Sequence, residues 1–239
     1  MNAMTRFARA LFAVLCLYAA ATGARAEERA DALLPGIENW LLLLNNPLEP
    51  LTVETIALSS HDMAVVDFIA SIKGSEGVAM ADIVAALKQR PALSHPGPRR
   101  LVIAYLNIGQ AEDYRTYWRA GWRPGAPDWI IGDDPDGWAG NFPVAFWTPE
   151  WKRLIAGPGG YVDQIVAAGF DGVYLDWVGG YDFEPVVARA HRDGVDPAAE
   201  MIRWVGEVSA RGESLSPGFV VIAQNAPDLW TRPAFLGAI

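Results

Sequence analysis

Cysteine is nearly missing from this sequence: of 239 residues only Cys16 carries a thiol, and it lies in an apolar stretch close to the start. An internal disulfide and a cysteine-built metal site are therefore excluded. Histidine is almost as scarce. His61, His95 and His191 stand far apart with no ligand partner at short spacing, and no Gly-x-Ser-x-Gly elbow occurs, which argues against a zinc site and a serine-hydrolase triad. A glycine-rich phosphate loop is also lacking. Gly132-Asp133-Asp134-Pro135-Asp136-Gly137 has the composition of a calcium loop. Setting Gly137 at that loop's invariant glycine, however, puts Gly132 at the first ligand and Pro143 at the bidentate glutamate, so the segment reads as a turn. Neither a metal nor a cofactor is expected. Positive charge is the last shortage, with 19 Lys and Arg against 28 Asp and Glu and a formal charge of −9. Nucleic acid is a poor partner for such a surface, whereas cationic ligands suit it.

What is present begins with an export signal. Arg6 and Arg9 precede an apolar stretch from Ala10 to Ala21, followed by Ala24-Arg25-Ala26, a small-x-small cleavage pattern. The stretch is too short for a bilayer span, so residues 1–26 are expected to be a signal peptide cleaved after Ala26. The mature chain would then be secreted or periplasmic, with no stable membrane span. Loss of Arg6, Arg9 and Arg25 takes three from the 19 basic side chains and moves the formal charge from −9 to −12. With 51% hydrophobic residues and no repeat, low-complexity tract or linker, residues 27–239 are expected to form one domain.

Along that domain, apolar runs that read as buried strands alternate with helical patterns. Strands are expected at 39–44, 63–68, 101–108, 144–147, 173–175 and 219–225, with a seventh starting at Leu236. Helices are expected at 78–90, after Thr148-Pro149, at 161–169 and at 196–210. Alternation of this kind means βαβ units around a parallel sheet. The fold class is α/β, of the (β/α)8 TIM-barrel type, with about six of eight units present; a complete barrel takes about 250 residues.

The chain is organised around residues 169–177. Gly169 stops a helix, Asp171-Gly172 turns the chain, Val173-Tyr174-Leu175 forms a strand covered on both faces, and Asp176 ends it in a charge. Ligands of α/β folds meet the carboxyl ends of the strands, so Asp176 is the candidate catalytic residue; capping of the next helix is its alternative role. Asp67, Glu112 and Asp113 also fall at or just past strand ends. Tyr105, Trp147, Trp177 and Tyr181 share that rim, and the long connection from Gly109 to Asn141 adds tryptophans at 118, 122, 129 and 138. Carboxyl groups facing one another, with aromatic rings to grip a sugar, are the ingredients of glycoside hydrolysis, and aromatic faces also attract cations.

Three blocks carry a family resemblance: residues 105–115 followed by Tyr117-Trp118, residues 169–177 with Tyr181, and Gln224-Asn225. Together they resemble the endo-α-1,4-polygalactosaminidases, glycoside hydrolase family 114. The resemblance implies a secreted barrel acting on a cationic α-1,4-linked galactosamine polymer by a two-carboxylate mechanism. It makes Asp176 the catalytic acid and Asp67, Tyr105, Tyr181, Gln224 and Asn225 pocket-lining residues. Glutamate is the family's usual residue where this chain has Gln110. The family's second carboxylate is expected beyond Ile239, so the alternative is a non-catalytic glycan-binding relative or a truncated, inactive fragment.

Overall fold

The computed structural model describes residues 29–44, 48–89 and 97–237. The expected signal peptide, the turn at 45–47, Pro91 and residues 238–239 lie outside the described residues.

After a short helix α1 (Ala30–Leu33), strand β1 (Trp40–Leu43) leads through α2 (Pro50–Ala57) to β2 (Met63–Asp67), and α3 (Met80–Lys88) leads to β3 (Leu101–Asn107). The long connection that follows is bracketed by two short strands, β4 (Gln110–Glu112) and β5 (Asn141–Pro143), paired antiparallel. Helices α4 (Pro149–Ala156) and α5 (Tyr161–Ala167) precede β6 (Gly172–Asp176). Next come α6 (Glu184–Asp193), α7 (Pro197–Leu215), β7 (Val220–Ala223) and α8 (Pro233–Leu236).

Among the described residues, five strands form one sheet in the order β1-β2-β3-β6-β7, every pair parallel. Side chains alternate across it, as strand geometry requires. Ala64, Val66, Val102, Ala104, Val173 and Leu175 pack with Val84, Ile165, Trp204 and Val205 from the helices, while Val65, Ile103, Tyr105 and Val220 pack with Tyr174 and Ile222 on the opposite face. Burial on both faces explains why β2, β3 and β6 read as continuous apolar runs; β1, expected as a buried strand, instead lies at the sheet edge with Trp40 and Leu42 exposed. Gly172 is required where β6 meets β7, because a Cβ there would stand 2.1 Å from the Val220 carbonyl oxygen. This is the (β/α)8-barrel type of fold, with the barrel not closed among the described residues and β1 and β7 at the edges.

Two expected strands differ. Val144–Trp147 does not join the sheet, and β3 pairs directly with β6. Its residues are apolar because they are buried under the long connection. The Val144 and Ala145 N–H groups donate to the carbonyls of Gly109 (3.0 Å) and Trp129 (2.8 Å) instead of to a ladder. Leu236 ends α8 rather than starting a strand, with the Gly237 N–H donating to the Pro233 carbonyl. Thr148 precedes α4 with Pro149 at the first helical position as expected, but its hydroxyl donates to the Ala145 carbonyl (2.8 Å) and caps nothing. Asp196 does cap α7, accepting from Ala198 and Ala199.

Candidate active site

The end of β6 is built by close backbone approach. Gly109, just past β3, lies against Trp177, where a Cβ would come within 2.6 Å of the Trp177 carbonyl oxygen. Trp177 adopts φ 60° and ψ 25°, a left-handed conformation that costs a non-glycine residue energy and is characteristic of functional turns. Asn225 and Ala226, past the end of β7, share that region with φ 65° and 55°. The chain thus reverses sharply beyond both strands. These turns leave Asp176, Gln224 and Asn225 lining a cavity of about 430 Å³ at the carboxyl edge of the sheet.

Asp176 is half-buried and accepts two hydrogen bonds. The Tyr105 hydroxyl donates to Oδ2 (2.5 Å) and the Trp177 N–H to Oδ1 (2.8 Å). Register explains the first contact: Asn107 stands opposite Asp176, so Tyr105, two residues back on the same face, reaches it diagonally. Burial first, then the charges of Glu112 and Asp176, push Tyr105 ionisation well above the usual tyrosine range, so its hydroxyl stays a donor. Capping is not the role of Asp176. The next helical turn, Val178–Asp182, has no side-chain cap.

Below the cavity lies a second charged cluster, joined by a residue that strand-end reasoning missed. Arg115 is buried and donates to Asp67 Oδ1 (2.8 Å), Glu112 Oε2 (2.7 Å) and Ser71 Oγ (2.7 Å), while the Tyr114 hydroxyl donates to Glu112 Oε1. Burial works against the guanidinium charge, but Glu112 and Asp67 outweigh it and hold Arg115 protonated. Burial and Glu112 likewise raise Tyr114 ionisation. Asp67 lines the cavity with this cluster behind it.

Of the expected site residues, the structure brings Asp67, Tyr105, Asp176, Gln224 and Asn225 to one cavity. Glu112 is withdrawn into the Arg115 cluster. Asp113 is exposed, its N–H donating to the Gly140 carbonyl. Trp147 turns away, its indole N–H donating to Asp193 Oδ2 (2.9 Å), and Tyr181 is half-buried in the Val178–Asp182 turn against the helix-side core. Several of the remaining tryptophans are core. Trp151 and Trp204 are buried, and both donate to the Ile108 carbonyl, tying α4 and α7 to the end of β3. The cavity also takes Tyr114, Asp136, Trp138 and Asn141, to which apolar periodicity gave no clue. Trp138 was marked only as one of four tryptophans on the long connection; the turn at Asp134, whose Oδ1 accepts the N–H groups of Asp136 and Trp138, is what brings both over the cavity.

A helix-covered parallel sheet, with a hydrogen-bonded carboxylate at a strand's carboxyl end facing a polar, aromatic-edged cavity, is the arrangement of barrel-type glycosidases. Residues 63–234 match Glycoside-hydrolase family GH114, and the chain belongs to that family. An uncharacterized protein of Deinococcus radiodurans is 40% identical over 140 residues, covering 59% of this chain and 42% of that one. Another, from Thermotoga maritima, is 32% identical over 198 residues, covering 80% and 54%. The chain spans about half the length of the curated relatives it matches. Among solved structures, Aspergillus fumigatus Ega3 in complex with galactosamine has a similar fold, with a TM-score of 0.54 and 18% identity over 90% of this chain and 67% of that one. α-L-Fucosidase isoenzyme 2 of Paenibacillus thiaminolyticus aligns at 0.51 and 14%, over 84% and 34%.

Proposed function

We propose that this protein is an exported glycoside hydrolase that cleaves a cationic, α-1,4-linked galactosamine polymer, with Asp176 as one of its two catalytic carboxylates. The observation that carries the reading is the setting of Asp176. It lies at a strand's carboxyl end, faces the cavity, and is held by two neutral donors, the Tyr105 hydroxyl and the Trp177 N–H. An ionised carboxylate accepts only, so both contacts suit the charged form, which serves as nucleophile or base toward a sugar. The exposed Asp136 on the same cavity, and a formal charge of −9, favour a substrate bearing ammonium groups. The galactosamine bound to Ega3, a protein of similar fold, supports the choice of sugar.

The test is release of new reducing ends by the full-length protein from α-1,4-galactosamine polymer and from the same polymer N-acetylated to neutrality. Cleavage is expected on the cationic form, weakening as salt screens the attraction. Equal rates on both forms, or none on either, would reject the substrate. Export predicts Glu27 at the N-terminus of the processed protein. Mass spectrometry finding Met1 or Cys16 retained would reject it.

A further inference from the structure

Trp138 is 65% exposed at the rim of the cavity, although a ring of that size is normally buried. It belongs to the segment 134–140, which a chain of hydrogen bonds fastens to the end of β3. Asn107 Oδ1 accepts the backbone N–H groups of Gly109 (3.2 Å) and Gln110 (2.8 Å), which leaves its Nδ2 to donate to Gln110 Oε1 (3.0 Å). Gln110 is fully buried, and its Nε2 donates to Asp134 Oδ2 (2.5 Å). Asp134 Oδ1 then accepts the N–H groups of Asp136 (2.8 Å) and Trp138 (3.0 Å). At the far end, the Asp113 N–H donates to the Gly140 carbonyl (2.8 Å).

Each link runs in one direction, because a backbone N–H only donates and a carboxylate only accepts. Position 110 therefore needs a side chain that accepts at one atom and donates at the other. Glutamine does both. Glutamate, the residue the family resemblance places here, would set a second carboxylate against Asp134 in a buried position, where like charges repel strongly.

We propose that Gln110 is a positioning residue that holds segment 134–140 as one wall of the sugar site, with Trp138 as the stacking face and Asp136 as the carboxylate meeting a substrate ammonium group. The proposal rests on the amino-sugar reading above. A tryptophan face suits both a pyranose ring and a nearby cation, and Asp136 lines the same cavity.

The experiment compares full-length wild type with Trp138→Ala, Asp136→Asn, Gln110→Glu and the double variant Gln110→Glu/Asp134→Asn on soluble galactosamine oligomers. Trp138→Ala and Gln110→Glu are each expected to raise KM on the order of tenfold, with the smaller part of the effect in kcat. Asp136→Asn is expected to raise KM for the cationic oligomer and to lower its salt dependence. In the double variant the asparagine amide donates back to the glutamate, so KM is expected to return to within about threefold of wild type, a coupling that mere destabilisation would not produce. Hydrogen exchange at the Asp136 and Trp138 amides reads the positioning without substrate: faster in Gln110→Glu, restored in the double variant. Wild-type KM and exchange in Gln110→Glu, or a double variant no better than the single, would overturn the positioning role. Unchanged KM in Trp138→Ala, with wild type active, would overturn the wall while leaving the substrate reading intact. If wild type binds only a neutral glycan, the substrate reading and the role of Asp136 fail together. Loss of that binding in Trp138→Ala would still support the wall.

Discussion

The two ends of β6 carry one aspartate each, and the two are held in opposite ways. Asp171, just before the strand, is buried; Lys88 Nζ stands 2.9 Å from its Oδ1, and Arg99 Nη1 (2.8 Å) and the Val102 N–H (2.9 Å) donate to its Oδ2. Beside it, the buried Arg100 donates to the carbonyls of His61, Leu87 and Ser59. Asp176, at the other end, is half-buried, meets one hydroxyl and one N–H, and opens on the cavity. An acid whose oxygens are taken up by cations and backbone holds structure together; an acid held in place by neutral donors, with open space in front of it, is set for chemistry. The same distinction applies within the carboxyl rim, where Arg115 and the Tyr114 hydroxyl take up both oxygens of Glu112, and Arg115 also pairs with the buried Asp67.

Breaking the saturated sites should cost stability. Arg115→Met is expected to have the largest effect, a loss of about 3–5 kcal/mol in denaturant unfolding, because it strands two buried carboxylates. A loss under about 1 kcal/mol would mean that the cluster is not structural. Asp171→Asn should cost less, about 1–3 kcal/mol, since Lys88 and Arg99 each keep some access to water. Its effect on turnover should only follow the loss of folded protein.

Tyr105 gives the carboxyl end of β6 a pH dependence of its own. Its folded-state ionisation is raised, chiefly by burial, so above pH about 10 the unfolded chain loses this proton while the folded one keeps it. Stability contributed by Tyr105 is therefore complete below that pH and declines as pH rises through the folded-state value, by up to about 1.4 kcal/mol per pH unit. Tyr105→Phe should flatten this alkaline decline in thermal melts. An unchanged slope would contradict the buried, charge-facing hydroxyl.

Local pattern made the sheet legible. Residues 63–67, 101–107 and 172–176 are strands because apolar runs bounded by turns and charges leave no other way to bury both faces. The same rule failed at Val144–Trp147, since an apolar run reports burial and not a ladder partner. At the site, position along a strand correctly singled out Asp176, Tyr105 and Asp67 as rim residues. It could not separate Glu112 from Asp176, because that depends on Arg115 folding back onto β2. Nor could it place Asp136 and Trp138, whose segment is tied to the end of β3 by a side-chain bond between Gln110 and Asp134, 24 residues apart, and by the Asp113 N–H on the Gly140 carbonyl.

Asp176 is held for chemistry and Asp67 for structure, although both line one cavity. Asp67→Asn and Asp176→Asn should be measured side by side in the full-length protein, each for thermal unfolding and for turnover on galactosamine polymer. Asp176→Asn is predicted to unfold within a few degrees of wild type while losing about 10²–10⁴ in turnover, and Asp67→Asn to show the larger fall in melting temperature with the smaller loss of turnover per folded molecule. Near-normal turnover in Asp176→Asn together with a clear loss of stability would contradict the account.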